Sequence, residues 1–319
     1  MSKTITELTE AQKAEMPRYV EKYIKIGANT ERLDYDEAYD IVNDVRTELL
    51  GLPKAPVVIV DDPTEAWVAC NYHHYHGITV NELPKKLDEF FSGKKIELEA
   101  FSMPNLCGSF DVAIHAFYAY NRDVLGLDYG EHAKKYQIWH DTIKLGLIFP
   151  FDGLTIVSQK PTVIKLTEQA PIVCHCDGGP AIEYAGRGGY KIFMLNGVRV
   201  PEWLAVTHSS QIPLSRYTEL SNADVKMEFI RKVGVERMLH YGHKVDDYTK
   251  YNHAWWTKSQ YELWDMSKIF DGVPFAPHLK MLNQTTGVWH VEAVSPACKN
   301  LEAAIRERLG GDFDLQGIA

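Results

Sequence analysis

A chain of 319 residues, 45% hydrophobic and 24% charged, has the composition of a globular protein with a sizeable core, in one large domain or two ordinary ones. Its net charge of −9 argues against sequence-independent nucleic-acid binding, which needs a basic footprint. No apolar run reaches the roughly 18 residues that span a bilayer, and the polar opening to Glu15 is unlike a secretory signal. Cys70, Cys107, Cys174, Cys176 and Cys298 form an odd, scattered set without a disulfide framework, so the expectation is a cytoplasmic protein with reduced thiols and no membrane contact.

Thr9-Glu10-Ala11-Gln12 has the form of a capping box and predicts a helix carrying Met16, Tyr19, Val20, Tyr23 and Ile24, with a stop at Gly27. Pro17 lies inside it and predicts a kink or a restart. Residues 36–49 repeat the helical pattern through Ala38, Ile41, Val42, Val45 and Leu49, closed by Gly51-Leu52-Pro53. Residues 56–60 read as a short β-branched strand that suits a small sheet buried beneath helices. Short helices are expected at 63–71 and 83–91. A longer one at 109–125 has Phe110, Ile114 and Phe117 as its apolar stripe, and 131–145 extends the helical half. No Gly/Ser- or Pro-rich linker interrupts this part before Phe149.

Residues 154–158 and 162–166 then alternate like strands. Strands at 181–185 and 190–195 flank Gly186-Arg187-Gly188-Gly189, and Asn196-Gly197 is a strong hairpin-turn signal into 198–200. Residues 205–220 show no clear period. Asn222 caps a helix that Gly234 stops, and 236–241 add a turn or two. Strands are expected at 261–269, 279–283 and 288–294, and a last helix from Ser295-Pro296 to Leu309. The layout is α+β: a helical N-terminal half, 1–148, packed on a mixed, mainly antiparallel β region, 149–319, that ends in a C-terminal helix, the two forming one compact unit.

Four clusters carry side chains capable of chemistry. Asp111, His115, Tyr118 and Arg122 recur at helical spacing; in a cleft Asp111 would orient His115 as a base and Arg122 would clamp an anion, whereas on a solvated face they form only a mild stabilising ladder. His175 and Asp177 alternate to one side of an extended chain and Cys174 and Cys176 to the other. That His/Asp pair is an acid–base candidate, and the plainer reading has Asp177 capping the turn and His175 bonding backbone. Cys70, His73, His74 and His76 are the densest ligand-type group and the candidates for a divalent metal; no cofactor is otherwise expected. The plainer reading of that group is a polar helix end. His240, His243, Asp246, Asp247 and His253, before Trp255-Trp256, read as a solvent-facing loop. No phosphate loop and no nucleophile elbow is present.

His175-Cys176-Asp177-Gly178-Gly179-Pro180-Ala181, followed by Asn196-Gly197-Val198-Arg199-Val200-Pro201-Glu202-Trp203, resembles a bacterial and phage-associated domain family without an assigned activity. Leu8-Thr9-Glu10-Ala11-Gln12, Gly108-Ser109-Phe110-Asp111 and Asn222-Ala223-Asp224-Val225 extend the likeness over most of the chain. The resemblance implies no reaction. Two functions remain open: an enzyme using Asp111, His115, Arg122, His175 and Asp177 on a polar or anionic small molecule or peptide, and a non-catalytic interaction protein presenting Trp203, Trp255 and Trp256.

Overall fold

The structure, a computed structural model, describes residues 7–94, 96–99, 105–252, 257–270, 272–283 and 287–309. The chain divides into two units, Met1–Gly197 and Val198–Ala319. Its fold class is α+β, with helices in the N-terminal half, mainly antiparallel sheets after them and a C-terminal helix.

Unit 1 opens with α1 (Glu10–Gly27), set by the expected capping box: the Gln12 N–H donates to Thr9 Oγ1 at 3.2 Å and the Thr9 N–H to Gln12 Oε1 at 2.9 Å. Pro17 neither stops nor restarts this helix, which runs through it. α2 (Tyr35–Asp44) ends in a π-helical turn, Val45–Leu49. β1 (Val57–Val60), β2 (Ile148–Pro150) and β3 (Thr155–Ser158) make a three-stranded sheet in the order β1-β3-β2, with β1 parallel and β2 antiparallel to β3. α3 (Pro63–His76) and α4 (Leu83–Phe91) pack on one face through Leu83, Phe90 and Ile156, and α2 packs on the other through Val42 and Val157. Ile156 and Val157 thus serve opposite layers, as adjacent strand residues must.

Arg46, in the π-helical turn, is fully buried in this layer. Its guanidinium donates to the carbonyls of Pro53 and Phe151, each at 2.7 Å, to that of Asp152 at 2.8 Å, and to Thr155 Oγ1 at 3.0 Å. Hydrogen bonds to neutral oxygens replace the water that burial removes.

α5 (Val112–Asp123) lies against α1, and α6 (Ala133–Asp141) follows it. β4 (Val163–Ile164), β5 (Ile182–Glu183) and β6 (Lys191–Ile192) form an antiparallel sheet over a small core of Ala181, Ile182 and Tyr184. β7 (Met194–Leu195) and β8 (Val198–Arg199) are joined by Asn196-Gly197, at φ 47 and 83, the left-handed pair that a type I′ hairpin demands. Here the chain passes from unit 1 to unit 2.

Unit 2 contains α7 (Glu202–Val206), α8 (Ala223–Val233), α9 (Val235–Met238) and α10 (Leu301–Leu309). Its sheet, ordered β12-β11-β10-β9, is antiparallel: β9 (His243–Asn252), β10 (Thr257–Asp265), β11 (Pro277–Leu282) and β12 (Trp289–Ala293). α10 covers it through Leu301, Ala304 and Ile305 against Leu263 and Leu279. Two expectations need correction. Residues 243–252 are an edge strand, not a loop; the exposed His243, Lys244, Asp246 and Asp247 hide its periodicity because charge is how an edge strand avoids further pairing. The last helix starts at Leu301, not at Pro296, because residues 295–300 form turns, with the Asn300 side chain accepting from the Ala303 N–H.

Candidate functional site

α5 turns inward a face that neither expected stripe describes: His115, Ala119 and Tyr120 are its buried residues. Phe110, Ile114 and Phe117, the predicted core stripe, are exposed, Phe117 by 62%, while His115 from the polar stripe is wholly buried. The His115 ring packs 4.3 Å from Trp139, 5.3 Å from His140 and 6.4 Å from Tyr136, centroid to centroid. Neither of its ring nitrogens has a hydrogen-bond partner among the described residues, so the expected bond to Asp111 is not made. Asp111 itself ends a 3-10 turn, Gly108–Asp111, ahead of the helix proper. Burial, and secondly the neighbouring His140, push the His115 pKa down to about 4, so the ring is neutral at physiological pH.

Tyr118 and Arg122 do gather with His115, around α6 rather than around Asp111. The Tyr118 ring lies 5.9 Å from that of Tyr136, and the Arg122 guanidinium sits 5.6 Å above Tyr136 while its Nε bonds Asp123 at 2.6 Å. Tyr23 Oη meets His140 Nε2 at 3.0 Å on the inner side.

In the hairpin, His175 Nδ1 accepts the Asn196 N–H at 2.9 Å, which matches the plainer reading and fixes the β7–β8 turn. Asp177 is exposed beside Gly178 at φ 99. His115 and His175 share neither a hydrogen bond nor a ring contact. At the group expected to bind a metal, Cys70 is buried in the core with its thiol pushed up to about 12 by desolvation, and His73 Nδ1 contacts the Ile78 carbonyl at 3.0 Å. His74 and His76 are exposed, and no set of three metal-ligating side chains comes together among the described residues. The five cysteines are unpaired. His240, His243, Asp246 and Asp247 are exposed, and His253, Trp255 and Trp256 lie outside the described residues. Trp203 is half-buried, 6.2 Å from the Phe229 ring and 4.9 Å below the Arg216 guanidinium.

An apolar concavity of unit 1 lies elsewhere. Met16, Val20 and Ile24, one row of α1, face Leu166, Ala170, Pro171 and Ile172 across an outer cavity of about 940 Å3. An inner cavity of about 360 Å3 continues it between Ile24 and Ala28 on one side and Ile164, Ile182, Met194 and Cys174 on the other, with Ser109, Phe110 and Val112 closing the end. Ile24, Ala28, Leu166 and Ile172 line both, so the two are one cleft. Cys174, not His175, faces it, as strand alternation predicts. The charged side chains lining it are Glu21 and Lys25, which pair with each other at 2.6 Å. Phe110 lies at its inner end, and Ile114 and Phe117 carry the apolar row along α5 from there. The apolar row at 16, 20 and 24 is readable in the sequence, and Leu166 ends a stretch that alternates like a strand, but Ala170, Pro171 and Ile172 opposite it lie outside any regular element and carry no pattern to read.

Comparison with protein-family models, with curated proteins and with solved structures found no match.

Proposed function

We propose that the protein is a binding protein, and that unit 1 takes an amphipathic helical segment of a partner protein in the cleft between α1 and residues 166–172. The observation that carries this reading is the continuous apolar lining, extended outside the cleft by the exposed Phe110, Ile114 and Phe117. Contiguous exposed apolar surface of this kind marks interaction sites, and a groove of this form suits anchors spaced at i, i+4 and i+7 on a docked helix. A lipid-like ligand would need a cation for its headgroup, and the one lysine of the lining, Lys25, is already paired with Glu21. The enzymatic alternative loses support because neither ring nitrogen of His115 has a hydrogen-bond partner among the described residues, and His175 Nδ1 is taken up by the Asn196 N–H. No helix among the described residues is long and apolar enough to cross a membrane. The unpaired thiols support a cytoplasmic setting.

A fluorescent amphipathic Leu/Glu/Lys peptide of zero net charge, titrated against the full chain and read by anisotropy, tests this. Binding is expected, and Val20→Asp should weaken it at least about tenfold, a loss of ~1.4 kcal/mol, with the circular dichroism spectrum unchanged. Equal binding by Val20→Asp, or binding of palmitate in place of the peptide, overturns the reading.

A further inference from the structure

A second cavity, of about 350 Å3, opens on the other side of the α5–α6 pair. Its walls are aromatic: Tyr118, Tyr129, Tyr136 and Trp139, with Lys135 and His132 as the basic side chains of the lining. We propose that it is a binding site for a planar aromatic anion, an aryl carboxylate or a ligand of that chemistry, stacked on the rings and paired with Lys135.

The walls are held from behind, which lowers the cost of ordering them around a ligand. The Tyr129 hydroxyl donates to the Tyr118 carbonyl at 2.6 Å, fixing the Tyr129 ring, which lies 5.1 Å from that of Tyr136. Tyr136 is stacked by Arg122, and its hydroxyl is buried without a hydrogen-bond partner of good geometry. Trp139 is backed by the His115 ring. That contact gives the buried, unpartnered histidine a role: a flat, neutral support for one wall.

The charge of the ligand follows from the rim. Aromatic walls favour cations through their ring faces, but the basic groups here oppose that. Lys135 is exposed and pairs with no carboxylate among the described residues, Arg122 stands above Tyr136, and carboxylates nearby have basic partners of their own: Asp123 with Arg122 at 2.6 Å, Glu48 with Lys134 at 2.8 Å, and Glu131 3.7 Å from His132, which leaves Lys135 as the free cation of the rim. The volume is that of a small-molecule site.

Isothermal titration of the full chain with indole-3-acetate, 3-methylindole, cyclohexylacetate and tetramethylammonium tests the proposal. Indole-3-acetate should bind at submillimolar concentration and more tightly than the other three. Lys135→Ala should weaken it about fivefold, the worth of an exposed ion pair, and Tyr118→Ala more. Val20→Asp, in the apolar cleft, should leave it unchanged, which separates this site from the proposed peptide site. Equal binding of cyclohexylacetate, preference for tetramethylammonium, indifference to both cavity variants, or no binding at all would overturn it. If a variant misfolds, transferred nuclear Overhauser contacts from the probe to Tyr129 and Lys135 in the unaltered protein decide the matter: their presence supports the site and their absence refutes it.

Discussion

The backbone N–H of Arg187 donates to the buried carboxylate of Glu65 at 2.7 Å, and the guanidinium of the same residue reaches the same oxygen at 3.3 Å. One residue of the hairpin tip thus compensates a carboxylate at the first turn of α3, and also pairs with Asp88 and lies 5.2 Å over Phe91. Arg187→Ala leaves the Glu65 charge buried and less well paired. It should cost about 2 kcal/mol in urea unfolding, the pair being half-exposed on the arginine side. Glu65→Gln combined with Arg187→Ala should recover part of that loss, because no buried charge then remains.

The same tip depends on missing side chains. A Cβ on Gly188 would stand 2.4 Å from Thr64 Cβ and 2.6 Å from Asp62 Oδ1, and one on Gly186 would stand 2.2 Å from Asp62 Oδ2. Gly188→Ala is expected to destabilise by ~2 kcal/mol or more through overpacking. Gly153→Ala, where the new methyl meets nothing within 4 Å, should stay within about 0.5 kcal/mol. Parallel thermal melts of the two variants separate close approach from a general glycine effect.

Acid should loosen unit 1 through His115. Its folded pKa of about 4 lies below the unfolded value near 6.5, so between those pH values the unfolded chain binds a proton that the folded one does not. The contribution is complete above pH ~6.5 and falls as the pH drops toward ~4, with a slope of up to about 1.4 kcal/mol per pH unit. His140, also lowered by burial, acts in the same direction; Asp62 and Asp111, both raised by burial, oppose it. His115→Leu should remove close to one proton's worth of slope. At pH 7 it should change stability by less than about 1 kcal/mol, since no hydrogen bond is lost. A variant with unaltered pH dependence would show that His115 is hydrated or bonded in solution.

Thiol labelling should divide the cysteines by burial. Cys107, Cys174 and Cys176 are half-buried and should react with a disulfide reagent in the native protein. Cys70 and Cys298, buried and with thiols pushed up to about 12 and about 11, should react only on unfolding. Three fast and two slow equivalents are expected by absorbance, collapsing to one phase in denaturant.

Phe117→Ser probes the exposed face of α5. With 62% of Phe117 already in water, stability should change by less than about 0.5 kcal/mol, whereas self-association by light scattering, if this face drives it, should fall. A large loss of stability would show that the ring is covered in solution.

Local signals were legible and tertiary ones were not. The Thr9/Gln12 box, the Asn222 cap and the Asn196-Gly197 turn act within a few residues, so the sequence holds the whole cause. α5 misled because its stripes at 110, 114, 117 and at 111, 115, 118, 122 fit the helical period equally well. Neither turned inward as a whole: the buried face is His115, Ala119 and Tyr120, and His115 joined it because Tyr136, Trp139 and His140, about twenty residues on, offer an aromatic bed for an imidazole. β9 was silent because an edge strand carries its polarity outward. The cleft had half a signature: α1 supplied a periodic row, and residues 170–172 opposite supplied none.

Arg46 has a consequence for how unit 1 comes apart. Its guanidinium is dry, and the oxygens that replace its hydration shell belong to Pro53 and to a loop 105 residues away along the chain. A half-assembled version, with the arginine in place and residues 151–155 elsewhere, would strand a bare cation in an apolar layer. Opening of the α2 layer and release of the β2–β3 loop are therefore a single event, and hydrogen exchange should find both segments protected by the same free energy.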